Sequence, residues 1–307
     1  MIAVFGADGV VGNVLAAALD ARRIVFRAPG PGEIATGDAD ETLRSASVVI
    51  NASGFRVRPG LSADDYRRSH AEAVARLVPR LSKGALLVQV SSASVLGRDP
   101  ARPLGNSGAG RPESFGSPAY ALAKREAEET AREATAAAGV RLAILRPAIL
   151  YGSSPDGMLG TLLLLAGKGI LLRLAPAAHR HHLCSFPLLV EAVKSLSRRG
   201  EGVEKPLVLA DPFFLTNADL AEAVQSVHGA RVTLPFPAAL AGSILRLFPR
   251  STSPRLDLRT WGEILGILAL DTVYDPAETY RLLAIEPARF ARARTWERLV
   301  RGHEAEA

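Results

Sequence analysis

The sequence predicts an α/β fold in which a doubly wound parallel sheet carries helices on both faces, with a smaller C-terminal lobe beside it. Short apolar runs of strand length alternate with helical segments four or more times before residue 150, which is typical of strand–helix–strand units. Three glycines spaced by three follow the first run, where such a sheet turns from strand to helix. The 307 residues are 48% hydrophobic, enough for a sizeable core.

The first strand is predicted over Ile2 to Phe5, and a helix over Val14 to Leu19. Between them, Gly6 allows a tight turn, Gly9 lets backbone approach a pyrophosphate, and Gly12 lets the helix sit close to the strand. The helix N-terminus then offers free N–H groups and a positive dipole end to phosphates. This pattern predicts a Rossmann-type dinucleotide site, and a tight turn that binds nothing is the alternative.

Composition narrows the class of partner. The net charge is +6, but the arginines are scattered and form no basic blocks, so nucleic acid is not expected and an anionic small molecule is compatible. Cys184 is the one cysteine, which excludes an internal disulfide and favours a reducing compartment. A strand that starts at residue 2 leaves no room for a signal peptide, so we expect a cytoplasmic protein. Residues 158–175 are predicted as a buried helix plus turn, not a membrane span.

The second strand, predicted over Arg23 to Arg27, bears on cofactor choice. An acidic residue near its end would hold the adenosine ribose, whereas an arginine suits a 2′-phosphate. The end carries Arg27 and no acid, so the sequence favours NADP over NAD, unless Arg27 is a solvated strand end. Asp38 either accepts a hydrogen bond from the adenine amino group or caps the following helix.

The later elements follow the same alternation. A third strand over Ser47 to Ile50 ends in small residues, where ligands of parallel sheets lie. An amphipathic helix is predicted over Asp64 to Leu81, and a fourth strand over Ala85 to Val90. A long loop at 97–118 is typical of functional loops. A helix from Tyr120 to Ala138 and a fifth strand from Arg141 to Leu145 complete the pattern.

One pair of side chains carries acid–base chemistry. Tyr120 and Lys124 lie one helical turn apart and share a face. A lysine ammonium beside a phenol favours the phenolate and lowers the tyrosine pKa, which suits proton transfer. A serine after the fourth strand can hold the substrate oxygen. Ser92 is the chosen candidate, and Ser91 and Ser94 compete with it. No metal site is predicted.

Taken together, these motifs resemble the extended short-chain dehydrogenase/reductases, which include nucleotide-sugar epimerases, dehydratases and 4-ketoreductases. The resemblance covers nearly the whole chain. It rests on Gly6-x-x-Gly9-x-x-Gly12, Gly37-Asp38, Asn51-Ala52, Ser91-Ser92-Ala93-Ser94, Tyr120-x-x-x-Lys124, Leu145-Arg146-Pro147, Tyr151-Gly152, and a last sheet strand within 205–211 followed by a helix from Asp219.

The resemblance implies roles for residues that match the family motifs. Ser92, Tyr120 and Lys124 match the catalytic triad, and Tyr120 and Lys124 also lie at the cofactor. The remaining cofactor contacts are implied for the pyrophosphate loop, the adenine side and the nicotinamide side: Gly6, Gly9, Val10, Val11, Gly12, Arg27, Asp38, Ala39, Ala52, Ser53 and Pro147.

Four positions depart from the family pattern. His70 stands where an Asn is usual, and Leu96 replaces a common Tyr. Ile149 and Cys184 occupy positions where nucleotide-sugar enzymes often have an Asn and an Arg that bind the diphosphate. Nearby cations could substitute: Arg173, Arg180, His181 and His182. Residues 179–182 are predicted as a loop, either facing phosphate or solvated.

The predicted architecture has two parts. Residues 1–153 plus 184–212 form an NAD(P)-binding domain, and residues 154–183 plus 213–307 form the small substrate lobe. Within the lobe, residues 234–249 are predicted as an apolar helix between prolines. Family members often dimerise through helices, and the helix from Tyr120 to Ala138 suits a homodimer.

The predicted activity is NAD(P)-dependent hydride transfer at a carbonyl or secondary alcohol, and the predicted substrate is a nucleotide sugar. A missing ribose-binding acid favours NADPH and therefore a 4-ketoreductase. A nucleotide-sugar 4-epimerase with bound NAD is the close alternative. A non-catalytic NADP-binding sensor or scaffold is the alternative from another class.

Overall fold

The computed structural model describes residues 1–26, 38–57, 60–99, 103–108, 110–152, 169–228, 232–245, 247–248, 262, 265–267, 269 and 271–292. The strands are β1 (Ile2–Phe5), β2 (Arg22–Ile24), β3 (Val48–Asn51), β4 (Leu86–Val90), β5 (Arg141–Pro147), β6 (Ile149–Tyr151), β7 (Ile170–Ala175), β8 (Arg180–Ser185), β9 (Leu207–Leu209), β10 (Phe214–Thr216) and β11 (Val232–Pro237). The helices are α1 (Val10–Ala18), α2 (Asp38–Ser45), α3 (Ala63–Arg67), α4 (Ala73–Leu77), α5 (Pro118–Ala138), α6 (Phe186–Arg199), α7 (Asn217–His228), α8 (Ala238–Leu245) and α9 (Ala277–Leu282).

Six strands form the central sheet in the order β2-β1-β3-β4-β5-β9, and every neighbouring pair is parallel. This confirms the predicted fold class. The chain passes from β1 outward to β2 and then crosses to β3 on the other side of β1. The carboxyl ends of β1 and β3 therefore border the topological switch point, where open α/β sheets bind ligands.

The sheet is covered on both faces. β3 and β4 are buried along their whole lengths, which is the pattern of parallel strands between helical layers. Successive residues alternate between the layers: Ile50 and Val88 pack with α6, whereas Val49 and Leu87 pack with α2, α4 and α5. The apolar runs seen in the sequence thus form two core layers.

The predicted amphipathic helix over Asp64 to Leu81 is interrupted. Its N-terminus is closed by a capping box between Ser62 and Asp65. After α3, residues Arg68–Glu72 form a π-helical turn, and α4 then ends in a 3₁₀ turn over Val78–Arg80. The periodicity predicted the buried face but could not show the extra residue that a π turn inserts.

One sequence prediction in the C-terminal half is wrong and a second is confirmed with shorter bounds. Ile170–Ala175 is a strand, β7, and not part of a helix plus turn; residues 158–168 of that prediction lie outside the described residues. β7 pairs in parallel with β11, whose last four residues overlap the start of the segment at 234–249 that was predicted to hold an apolar helix. Pro235 and Pro237 favour extended backbone, and the predicted helix is confirmed directly after them as α8.

A second, three-stranded sheet has the order β10-β8-β6. Its core includes Tyr151, Leu183 and Leu215. The predicted domain boundary between residues 183 and 184 falls within β8. The division into 1–153 plus 184–212 and 154–183 plus 213–307 stays a prediction, as do the cytoplasmic location and the homodimer through α5.

Across the part of the chain that the structure describes, no helix combines the length and apolar character needed to cross a bilayer. Over the same residues, no cluster of three or more His, Cys, Asp or Glu side chains is arranged to hold a metal ion.

Candidate active site

The glycine-rich turn lies at the switch point. Gly6 follows β1 with φ of +82°, a conformation that L side chains rarely adopt. The next strand end lies directly against it, since the Ala52 amide donates to the Phe5 carbonyl over 2.9 Å. A Cβ on Gly12 would lie 2.1 Å from the Gly6 oxygen. The predicted tight turn at Gly6 and close approach at Gly12 are therefore both confirmed.

The turn leads into the N-terminus of α1, which fits an anion. Gly9 is the N-cap and supplies no side chain, and the first turn of this described helix carries no acidic residue. The amides of Val10, Val11 and Gly12 occupy the first three helical positions, where amides lack intrahelical acceptors. A Cβ on Gly9 would meet only the Gly6 oxygen, at 3.5 Å. This open cradle suits the pyrophosphate of a dinucleotide.

The adenosine side of the predicted site is described in part. Arg27 lies outside the described residues; Asp38 begins α2, and Ala39 follows it half-buried. The described residues from Arg22 to Phe26 include no acid.

Arg23 contacts the glycine-rich turn, and the sequence analysis did not predict this contact. Its Nη2 donates to the Ala7 carbonyl over 2.7 Å and to Asn13 Oδ1 over 2.9 Å. This brings a guanidinium to the glycine turn, and its place in β2 directly beside β1 was the available signal.

The end of β3 is held by a buried amide network. Asn51 Oδ1 accepts from the Ser53 amide over 3.0 Å and from Ser53 Oγ over 2.6 Å. Asn51 Nδ2 donates to Gln89 Oε1 on β4 over 2.8 Å. Ala52 and Ser53 are thus fixed beside the glycine turn, where the sequence placed them. Pro147 ends β5 and is buried.

Ser92, Tyr120 and Lys124 come together at the carboxyl edge of the sheet. Ser92 is the second residue after β4, and Tyr120 lies in the first turn of α5. The hydroxyls of Ser92 and Tyr120 are hydrogen-bonded. Lys124 Nζ lies 6.0 Å from the centroid of the Tyr120 ring and donates to the Val90 carbonyl over 3.2 Å. The three side chains form one constellation.

The structure separates Ser92 from its two competitors. Ser91 Oγ donates to the buried carboxylate of Glu128 over 2.6 Å. Ser94 Oγ is buried and has no hydrogen-bond partner among the described residues, although the Ser94 amide donates to Ser92 Oγ over 3.2 Å. Only Ser92, of these three serines, contacts Tyr120 through its hydroxyl.

The pKa values of Tyr120 and Lys124 differ from those expected from the sequence. Burial raises the pKa of Tyr120 to about 12, and the Ser92 hydrogen bond only partly opposes this. Burial likewise lowers the pKa of Lys124 to about 8, with the Glu128 carboxylate acting in the opposite direction. The prediction that Lys124 lowers the tyrosine pKa is therefore wrong for this structure, because desolvation of both groups dominates.

A buried ion pair lies below Lys124, and the sequence analysis did not identify it. Glu128, one further turn along α5 and 1% exposed, accepts from Arg146 Nε over 2.8 Å and from Arg146 Nη2 over 2.6 Å. Its i,i+4 spacing from Lys124 on the same helix face was the available signal. The pair ties α5 to β5 and, through Ser91, to the end of β4.

The family departures fall into the protein interior. Ile149 packs against Phe115, Ala121 and Ile267, and Cys184 is fully buried. Burial raises the pKa of the Cys184 thiol well above its usual value. Leu96 is also buried, and His70 lies in the π turn with its ring against Tyr120.

Residues 180–182 are not a loop, and that prediction is corrected. They begin β8, in which His181 and His182 are buried. His181 hydrogen-bonds to Thr272 Oγ1 over 3.0 Å and to Asn217 Oδ1 over 2.9 Å. His182 Nδ1 accepts from the Tyr274 amide over 2.9 Å. Burial lowers the pKa of each imidazole to about 4, so both are neutral structural groups at neutral pH.

Arg180, which precedes the two histidines, also binds groups of its own chain. Arg180 donates to Asp271 Oδ2 through Nε and Nη2, over 3.1 and 2.9 Å. Its guanidinium lies 5.5 Å from the Phe214 ring centroid. A substitute phosphate ligand in β8 therefore has no observation in its favour.

Comparison with known proteins agrees with the fold described above. A family model described as "NAD dependent epimerase/dehydratase family" matches residues 2–169, more than half of the chain. Comparison with curated proteins gives no match.

Similar solved structures include MoeE5 in complex with UDP-glucuronic acid and NAD, at 18% identity and TM-score 0.68, covering 98% of this chain and 99% of that one. UDP-glucuronic acid 4-epimerase from Bacillus cereus, with UDP-glucuronic acid and NAD, is 15% identical with TM-score 0.69, covering 93% of each chain. TunA, an NAD dependent NDP-hexosamine 5,6-dehydratase, is 18% identical with TM-score 0.67, covering 92% and 91%. At such identities the likeness establishes the fold.

Proposed function

The chain belongs to the NAD-dependent epimerase/dehydratase family, and from this premise we propose that it binds NAD and acts on the 4-position of a sugar carried by a nucleotide. It is an enzyme of the extended short-chain dehydrogenase/reductase type. We propose epimerisation with retained NAD as the first candidate reaction.

The observation that carries the proposal is the constellation of Ser92, Tyr120 and Lys124. The Ser92 hydroxyl is placed to hold the substrate oxygen, and the Tyr120 phenol to remove and return the proton on that oxygen. Lys124 adds a buried donor beside the ring. When bound, NAD would supply the nicotinamide that takes up a hydride from the sugar carbon and returns it. Tyr120 and Lys124, with Pro147 at the end of β5, would border that ring.

Support for NAD comes from the cradle and from the relatives. The α1 N-terminus and the turn at Gly6 fit a pyrophosphate, and Gly9, Val10, Val11 and Gly12 would hold it. Asp38 and Ala39 would border the adenine, and Ala52 and Ser53 the ribose side. The named relatives contain or depend on NAD.

An NADPH-dependent 4-ketoreductase is the second candidate. It is favoured by one observation: the described residues from Arg22 to Phe26 contain no acid to hold the ribose hydroxyls. Arg23 adds positive charge near the glycine turn. Arg27 would contact the 2′-phosphate in this case.

The test begins with calorimetric titration of the purified protein with NAD, NADH and NADPH, alone and with a panel of UDP- and dTDP-sugars. Turnover is then followed by NMR of the sugar and by absorbance of the nicotinamide. An epimerase forms the epimeric sugar with no net change in NADH, whereas a ketoreductase consumes one NADPH per product. Binding of neither cofactor contradicts the proposal.

Variants separate chemistry from binding. Tyr120→Phe should lower kcat by about 10²- to 10⁴-fold with cofactor affinity retained, since it removes only the proton-transfer group. Ser92→Ala should lower kcat at least tenfold, while the matched Ser94→Ala should change it little because that hydroxyl has no hydrogen-bond partner within the described part of the chain. If Tyr120→Phe changes no activity and no ligand response, the enzyme assignment to this site is wrong and the sensor alternative replaces it.

A further inference from the structure

His70 is a buried ionisable side chain that the proposed reaction does not use. It is 2% exposed and lies at the centre of the π turn Arg68–Glu72. π turns are rare, since each inserts a residue into a helix and redirects the side chains near it, and they are frequent at functional sites. This turn packs against α5, the helix that carries Tyr120.

One edge of the imidazole is bound to the chain segment after β3. His70 Nε2 lies 3.0 Å from the Phe55 carbonyl oxygen. Because a carbonyl can only accept, Nε2 carries the proton in this contact, and the Ser53 backbone is a second hydrogen-bond partner of the ring. Gly54 passes so close that a Cβ there would lie 1.9 Å from Nδ1, and its φ is +111°. Segment 53–55 and the His70 ring therefore fit each other closely.

The other side of the imidazole faces two tyrosines. The rings of Tyr66 and His70 are parallel within 5°, with centroids 6.4 Å apart. Each of them meets the Tyr120 ring nearly perpendicularly, at 78° and 77°, with centroid distances of 5.7 Å. Edge-to-face contacts of this kind are favourable and directional. The Tyr66–His70 pair thus restricts the orientation of the Tyr120 ring.

The ring is held neutral in this position. Burial and the charge of Lys124 lower the pKa of His70 well below its usual value, against the carbonyls of Phe55 and Ser53. The titratable groups that face it are Tyr66, Tyr120 and Lys124. A neutral imidazole adds no second positive charge beside Lys124, so its contribution lies in geometry.

We propose that His70 is a positioning residue that fixes the Tyr120 ring relative to segment 53–55, the part of the chain predicted to border the cofactor. The inference rests on the proposed role of Tyr120 in proton transfer. Through His70, the phenol and the cofactor side of the site share one rigid support. A misplacement of the phenol by about 1 Å would cost up to about 100-fold in rate.

Two variants test separately the hydrogen bond and the aromatic contact of the His70 side chain. His70→Phe keeps a flat ring against Tyr120 but removes the Nε2–H donor. His70→Gln keeps an N–H donor but removes the ring. Ser69→Ala is the matched control, because Ser69 Oγ accepts from the Phe55 amide over 3.3 Å within the same π turn and is not in the aromatic contact.

Each protein is compared by kcat, KM, the dissociation constant of NAD, and the NMR signals of ¹³C-labelled tyrosine. The chain has five tyrosines, so Tyr120→Phe assigns the Tyr120 signal. We expect both His70 variants to lower kcat by about tenfold or more, with KM and NAD affinity within about threefold. We expect the Tyr120 signal to shift most in His70→Gln, and Ser69→Ala to leave kcat and that signal near wild type.

The inference is overturned if His70→Phe and His70→Gln both retain wild-type kcat and an unshifted Tyr120 signal. If one variant fails to fold, the other decides. If the wild-type protein turns over none of the nucleotide sugars, the proposed function fails separately, and the position of the Tyr120 signal still decides whether His70 holds the ring.

Discussion

The carboxyl edge of the six-stranded sheet and the three-stranded β10-β8-β6 sheet both carry polar side chains, but they use them differently. At the first, Ser92, Tyr120 and the α1 N-terminus are partly exposed. At the second, His181 and His182 are directed into the protein and bound to its own chain. The same kind of residue is a candidate ligand only where its polar atoms remain available to one.

The largest effect is expected at the ion pair that supports the first region. Arg146→Met leaves the Glu128 carboxylate buried without its bidentate partner, so we expect a loss of about 3–5 kcal/mol in the free energy of unfolding. Arg132→Met is the control, because Arg132 is 42% exposed and lies 3.5 Å from the same carboxylate; we expect less than about 1 kcal/mol. Urea denaturation measures both, and equal losses would contradict this account.

The glycine turn offers the next test, since it separates stability from binding. In Gly12→Ala, the new Cβ meets backbone atoms at 2.1 to 2.9 Å. We therefore expect the free energy of unfolding to fall by roughly 3 kcal/mol, and we expect cofactor binding to be lost as well. In Gly9→Ala, the nearest atom is at 3.5 Å, so stability should stay within about 1 kcal/mol. The Gly9 variant should nevertheless bind NAD more weakly, because its methyl group enters the cradle. Thermal melts with and without NAD check both outcomes.

Acid should lower the free energy of unfolding through the buried histidines of the β10-β8-β6 sheet. His181 and His182 have pKa values lowered to about 4 in the fold, against about 6.5 when unfolded. The unfolded chain therefore binds more protons between these values, and stability falls as pH drops from about 6.5 to 4, by about 1.4 kcal/mol per pH unit for each imidazole.

Asp211 opposes this trend. Burial raises its pKa to about 6, so the folded state binds the extra proton and gains stability as pH falls through that value. His181→Gln should flatten the acid loss and Asp211→Asn should steepen it, measured by denaturation at pH 7, 6, 5 and 4.5. Parallel curves for all three proteins would show that these groups do not set the dependence.

The smallest effect concerns Arg180, which directly precedes those histidines in β8. Its ion pair with Asp271 joins side chains that are 47% and 31% exposed, so Arg180→Ala should cost less than about 1 kcal/mol. Because the guanidinium is already bound, KM for a nucleotide sugar should change less than about threefold. A tenfold rise in KM would instead make Arg180 a substrate ligand and bring the second region into the binding site.

Sequence reasoning succeeded where a local pattern was sufficient. The turn at Gly6 and Gly12 and the pair Tyr120 and Lys124 depend on spacing within a few residues, and the structure places them as predicted. The choice among Ser91, Ser92 and Ser94 required tertiary contacts, since Glu128 takes up the Ser91 hydroxyl from a helix 37 residues away.

It failed where the partner lies far along the chain. β7 pairs with β11, about 60 residues later, and His181 and His182 are satisfied by Thr272 and Tyr274, about 90 residues later. A run of histidines beside an arginine looks solvated when those partners are unknown. The Tyr120 pKa was misjudged for a related reason, because spacing reports the nearby charge but not the burial of both groups.

The fit between Gly54 and His70 also restricts how this protein can diverge. A side chain at position 54 would collide with the imidazole, and the φ of +111° there strains any residue other than glycine, so position 54 is under two constraints. Position 70 is freer, because a smaller residue at position 70 is compatible with glycine at 54. Descendants of this chain are therefore expected to lose the histidine before they lose the glycine, because a smaller residue at position 70 relieves only one of the two constraints on position 54.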